Sequence, residues 1–222
     1  MKKTFLEFIW EFVTDNKKEL FTNLIEYRTR HIAVVLEDLY QPHNASAVMR
    51  TCDCFGIQDV HVIENRNPWV HSPDVERGSS KWISLHRHKA EANNTESCLN
   101  YLKNKGYKLV ATSPHADMEL HDLPIDEPLA LIFGTEQDGV SEEAMALTDY
   151  QIKIPMYGFT ESFNISVAAA IILYSLREKL QESDVDWMLP KEVKEEILID
   201  WCKKVLKYHD KYLAEYQART NG

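Results

Sequence analysis

Gly158-Phe-Thr-Glu-Ser162-Phe-Asn164-Ile-Ser166-Val-Ala-Ala-Ala170-Ile-Ile-Leu-Tyr174 sets a polar loop directly against a nearly uncharged helix of alanine and aliphatic residues. A short strand ending in Ile154-Pro155-Met156 precedes it, so the polar residues fall where a strand hands over to a buried helix. Open α/β sheets hold their ligands at that kind of junction. Ser162 and Asn164 also suit the cap of a helix, whose first N–H groups lack partners within the helix. Two readings follow from this stretch alone: a capped core helix, or one wall of a ligand site.

Working outward, Leu129-Ala-Leu-Ile-Phe133 reads as a central strand ending at Gly134, and Lys108-Leu-Val-Ala-Thr112 as its neighbour in sequence. Val60-His-Val-Ile63 and Ile32-Ala-Val-Val-Leu36 are further short apolar runs. Helical spacing fills the intervals: Val48, Met49, Cys52 and Phe55 recur along 45–55, residues 91–105 form a helix closed by Gly106, and Ser141 opens another. Such alternation predicts an α/β fold with a mainly parallel sheet covered on both faces. Residues 65–81 read as one long polar loop, and 117–128 as an acidic, proline-containing connection. Residues 4–13 and 16–28 form a short helical extension. Past Asp184 the character changes, and Pro190 starts a final helix with Ile197, Trp201, Val205, Tyr208 and Tyr212 on one face. The expected division is 1–30, 31–180 and 181–222.

The 222 residues carry a net charge of −10 with 44% apolar and 27% charged residues, a composition that can bury a core. The apolar runs are too short to span a bilayer. Glu7 and Glu11 interrupt the signal-like start, so a cytoplasmic protein is expected. Cys52, Cys54, Cys98 and Cys202 show no zinc-ligand spacing and no disulfide framework. An acidic total runs against nucleic-acid binding, yet basic residues cluster near both ends of the chain.

Three polar stretches align in order: Asn44-x5-Arg50-Thr-x-Asp53, then Phe133-Gly-x-Glu136-x-x-Gly139-Val-Ser141, then Ile154-Pro-Met156-x-Gly158-x3-Ser162-x-Asn164-x-Ser166-Val-Ala-x-Ala170. Together they resemble the three motifs of the SpoU/TrmH family of RNA ribose 2′-O-methyltransferases, over roughly residues 30–180. The resemblance implies a deep trefoil knot at the C-terminal end of the domain, a homodimer, and S-adenosylmethionine as methyl donor, leaving S-adenosylhomocysteine. It places the cofactor among Thr112, Gly134, Ile154, Met156 and Phe163, the last standing where relatives often have leucine. It implies that Asn44, Glu136, Ser162 and Asn164 organise the reacting centre and that Arg50 acts on the ribose and faces the RNA. No metal is required.

The short N-terminal helices and long C-terminal helix, with Pro-His-Asn in the first motif, resemble the TrmH subgroup, which methylates guanosine 18 of the tRNA D-loop. That implies an RNA surface made of Lys17, Lys18, Arg28, Arg30, His43, Arg50, Arg177 and Lys179. Ribosomal RNA as substrate, a non-catalytic RNA-binding module, and a doubly wound nucleotide-binding protein are the alternatives. The last lacks any glycine-rich phosphate loop.

Overall fold

The computed structural model describes residues 4–69 and 78–220, so the stretch 70–77 of the expected long loop lies outside the described residues. The chain divides into two compact units, one of residues 29–187 and one that joins 1–28 to 188–222.

In the larger unit the apolar runs become strands β1 (Thr29–Glu37), β2 (Ile57–Ile63), β3 (Ser84–His88), β4 (Lys108–Thr112), β5 (Met118–Glu119), β6 (Leu129–Phe133) and β7 (Tyr150–Lys153). They form one sheet in the order β3-β2-β1-β6-β4-β7-β5, and every pairing is parallel. β3 falls just past the stretch read as a loop. β6 is buried at every position, as a central parallel strand covered on both faces requires.

Helices α3 (Pro42–Cys54) and α6 (Ile165–Gln181) pack on each other and share one apolar core with β1, β2 and β6. On the other face α4 (Asn94–Asn104) and α5 (Glu142–Leu147) cover a second cluster built around Ala33, Val35, Leu99, Leu109 and Ile132. Among the described residues no helix is long and apolar enough to cross a membrane.

Two polar devices fix the strand ends near the functional loops. Asp38 takes a left-handed conformation (φ 55°), and its carboxylate accepts the backbone N–H groups of Asn65, Arg66 and Asn67 at 2.8–3.0 Å. Glu64, just beyond β2, receives Arg87 Nε and Nη2 at 2.7 Å each and the Trp69 N–H at 2.8 Å. The Arg87 hydrogen bond holds the Glu64 carboxyl below its ordinary value of 4.5, against the opposing effect of burial. Between the two values the unfolded chain binds more protons, so the pair's contribution is full above pH 4.5 and fades as pH falls through the lower folded value. Glu64→Gln is therefore expected to cost about 2 kcal/mol at pH 7. Urea melts from pH 7 downward should show the two proteins converging below pH 4.5. A gap that stays constant to acid pH would remove the ionised pair as its source.

The smaller unit consists of α1 (Phe5–Trp10), α2 (Asp15–Ile25), α7 (Lys191–Val205) and α8 (His209–Thr220). The single final helix expected from the aromatic periodicity is thus two helices that break after Val205. Its stripe is a packing face all the same: Trp201 meets Phe21 at 5.3 Å, and Tyr212 stacks on Phe12 at 4.1 Å. Thr4 and Glu7 form a capping box at the start of α1.

Candidate active site

A cavity of about 640 Å³ opens at the carboxyl ends of β4, β6 and β7. Asn44, Thr112, Gly134, Glu136, Ile154, Met156, Ser162, Phe163 and Asn164 all line it, so the structure gathers the three separate motifs and the end of β4 around one space. Its volume lies in the range of small-molecule sites, about 300–1,000 Å³. Phe133, Met145, Ile152, Ile165 and Ile172 add apolar lining, against the polar side chains of the three loops.

One hydrogen-bond chain ties the motifs together. Asn44 Nδ2 donates to Glu136 Oε1 at 2.5 Å and to Gln41 Oε1 at 3.1 Å. Asn164 Nδ2 donates to Asn44 Oδ1 at 3.1 Å, and Asn164 Oδ1 accepts the Ser166 N–H at 2.9 Å and its hydroxyl at 2.6 Å. Asn164 is therefore both the cap of α6 and a link to α3. The direction of this chain fixes both amides: each asparagine donates toward Glu136 and accepts from the α6 side. The Glu136 carboxyl at its end serves as the acceptor.

The second motif folds as a tight hairpin. Thr135 and Gly139 exchange backbone hydrogen bonds at 2.9 and 3.0 Å, and Gly139 has φ +71°. A Cβ on Gly134 would lie 1.9 Å from the Gly139 carbonyl oxygen, so only glycine fits there. Glu37, buried at the end of β1, accepts the Ser141 N–H at 2.9 Å and its hydroxyl at 2.7 Å, while Ser141 caps α5. Glu37 and Gln41 are positioning residues absent from the sequence-based set. Gln41 stands three residues before the Asn44 that opens the first motif, whereas Glu37 sits at a strand end with nothing nearby in sequence to signal its distant partner.

Arg50 does not line the cavity. It is exposed on α3, six residues beyond Asn44, which is about 9 Å along the helix and 240° around it. His43 and Lys17 are exposed as well.

Four of the expected RNA contacts already have partners within the chain. Arg28 is 4% exposed with its guanidinium 5.3 Å above the Trp201 ring, and Arg177 is 5% exposed and 4.0 Å from that of Trp187. Both guanidinium groups lie over indoles. Lys179 Nζ donates to the His121 and Leu123 carbonyls at 3.1 and 2.6 Å, and Arg30 pairs with Asp59 at 3.0 Å. Lys18 pairs with Asp15 at 3.1 Å within α2, a surface pair that an incoming phosphate can compete with.

The model of the SpoU rRNA Methylase family matches residues 31–174. The chain is 42% identical over 198 residues to a tRNA (guanosine(18)-2′-O)-methyltransferase of Borreliella burgdorferi, covering 89% of each chain. It is 34% identical over 194 residues to the enzyme of the same description from Thermus thermophilus, covering 86% of this chain and 98% of that one. Among solved structures, the Aquifex aeolicus TrmH/SpoU tRNA modifying enzyme superposes with a TM-score of 0.77 at 28% identity, over 87% of this chain and 98% of the other.

Proposed function

The chain belongs to the SpoU rRNA Methylase family, and from that premise we propose that it transfers a methyl group from S-adenosylmethionine to the ribose 2′-oxygen of guanosine 18 in tRNA. The observation that carries this reading is the Glu136–Asn44–Asn164 hydrogen-bond chain, which joins all three motifs at the rim of one cavity. The named relatives supply the substrate, at up to 42% identity over most of the chain.

The cavity suits the methyl donor. Its apolar lining accepts an adenine ring, and the backbone of the Gly134 loop and of Ile154 and Met156 offers polar groups beside it. The volume holds a nucleoside with an amino-acid tail. Thr112, Gly134, Ile154, Met156 and Phe163 would hold the cofactor, and once bound it supplies an electrophilic methyl group on a sulfonium.

The protein's own task is to position a weak nucleophile and favour loss of its proton. Asn44, Glu136, Ser162 and Asn164 form a preorganised polar wall that orients the ribose. Arg50 stabilises the oxygen as charge develops on it; a guanidinium is too weak an acid to act readily as a base. With the donor bound, methyl transfer would break its S–CH3 bond and leave S-adenosylhomocysteine, while the hydroxyl proton passes to solvent.

The reading includes a cytoplasmic homodimer and a trefoil knot. β7 follows β6 in the chain yet lies between β4 and β5, an inserted position that agrees with a threaded C-terminal segment. α6 leaves Val167 and Tyr174 exposed, 44% and 56%, along one edge beside α3. Pairing two copies there covers that stripe and offers a route for Arg50 to reach a ribose beside the second copy's cavity. Lys17, Lys18, His43 and Arg50 remain as candidate RNA contacts.

Ribose-methylation mapping of total tRNA, from cells with and without the protein, tests the assignment. A methyl group at position 18 that depends on the protein is the expected result. A protein-dependent mark confined to ribosomal RNA, or cofactor binding with no mark on any RNA, would overturn it.

A further inference from the structure

β2 and β3 pair at one edge of the sheet, with His61 opposite His86 and Ile63 opposite His88. α4 packs on both strands and brings Cys98 and Tyr101 to the same place. His61 Nδ1 lies 3.1 Å from His88 Nε2. One ring nitrogen of each histidine and Cys98 Sγ lie within 4.8 Å of one another. It is the one such donor cluster among the described residues.

We infer that His61, His88 and Cys98 form a three-ligand binding site for a zinc-class divalent cation. Two imidazoles and a thiolate are the donor set of a borderline-soft metal. Zinc–nitrogen bonds of 2.0–2.1 Å in a tetrahedron separate two ligand nitrogens by about 3.3 Å. The observed 3.1 Å is already close to that, and Cys98 Sγ lies within 4.8 Å of the donor nitrogens.

The ring orientation is set in advance. His86 stacks on His61 with centroids 4.5 Å apart, and Asp59 Oδ1 holds His86 Nε2 at 3.0 Å. A ligand ring fixed by such outer partners binds more tightly than a free one. A shared proton between the two rings accounts for the 3.1 Å contact alone. It leaves the buried thiol beside them without a role.

On binding, two N–metal bonds and one S–metal bond form. The ring proton between the histidines shifts to the other nitrogen of its own ring, and the Cys98 thiol proton leaves to solvent. Among the described residues β3 is the last strand of the sheet and pairs on one side only, so a cation here would staple an edge strand to β2 and α4. The methyl-transfer cavity lies at β4, β6 and β7, so no step of that reaction involves this site. Sequence spacing misses it because the three ligands come from three elements.

Titration of the metal-free full-length chain with cobalt(II), followed by zinc, tests the inference. One equivalent of cobalt should give a thiolate-to-metal charge-transfer band in the near ultraviolet, which zinc then removes, and zinc should raise the thermal midpoint. Cys98→Ala should lose the band. His88→Gln, at a half-buried position that disturbs folding least, should weaken binding by roughly tenfold or more. Cys54→Ser should change neither. Absence of the band at one equivalent, its survival in a folded Cys98→Ala protein, or its loss in Cys54→Ser would overturn the site.

Discussion

Arg50→Ala is expected to lower single-turnover methyl transfer by about 100- to 1,000-fold, the scale on which removal of one preorganised charge-stabilising group acts. Affinity for S-adenosylhomocysteine should stay unchanged, because Arg50 is not among the residues lining the cavity. Arg50→Lys separates charge from geometry. Lysine keeps the positive charge but loses the planar fork that can grip a phosphate and an oxygen together, so it should recover only a small part of the rate. An Arg50→Lys enzyme with near-normal transfer at normal RNA affinity would remove any specific guanidinium role.

The same variant tests the dimer. Six residues of helix put Arg50 and Asn44 on different faces of α3, and Asn44 alone of the two lines the cavity. A site completed by a second copy predicts that mixed dimers of Arg50→Ala chains and Asn164→Ala chains regain activity. In such a dimer one cavity keeps its Asn164 and meets an intact Arg50. Mixing that restores nothing, in preparations shown to exchange subunits, would place Arg50 and its cavity in one chain.

Much of this site was legible because each motif combines residues that ordinary packing does not ask for. Asn164 caps α6, as its position before an apolar helix implies, but the cap also bonds Asn44, 120 residues away. Only the alignment of three motifs pointed there. β3 escaped notice because Ser84-Leu-His-Arg-His88 is polar and only partly buried, as an edge strand can be. The break between α7 and α8 was hidden for the opposite reason: Val205-Leu-Lys-Tyr208 holds no proline or glycine, and the aromatic stripe runs on through it. The indole partners of Arg28 and Arg177 are not legible in the sequence, where charge is visible and a distant ring is not. Trp201 and Trp187 turn these two guanidinium groups into packed side chains. The position of β7 between β4 and β5 has no local signal at all, since strand order is decided by the whole chain.

Gly134→Ala should do more damage than any other single methyl group added to the functional loops. The new Cβ would sit 1.9 Å from the Gly139 oxygen, 2.1 Å from its carbonyl carbon and 2.3 Å from the Val140 nitrogen. All three are backbone atoms, so no side chain can swing aside and the hairpin itself has to open. Opening it breaks the two Thr135–Gly139 hydrogen bonds, worth about 1 kcal/mol each, and adds overpacking strain of about 1–3 kcal/mol. It also displaces Glu136 from Asn44 and pulls on Ser141, which Glu37 holds. Loss of about 3–5 kcal/mol in stability is expected, together with a cofactor affinity reduced by at least 100-fold, roughly 2.7 kcal/mol. Two other glycines calibrate the result. Gly139→Ala meets no atom within 4 Å but must hold φ +71°, a left-handed strain of about 1–2 kcal/mol. Gly158→Ala has neither contact nor positive φ and should be nearly neutral in stability. Thermal melts and calorimetric titration with S-adenosylhomocysteine check the order Gly134, then Gly139, then Gly158. Wild-type affinity in Gly134→Ala would mean that the 134–139 hairpin is not a wall of the cofactor site, and the assignment of this cavity would fall with it.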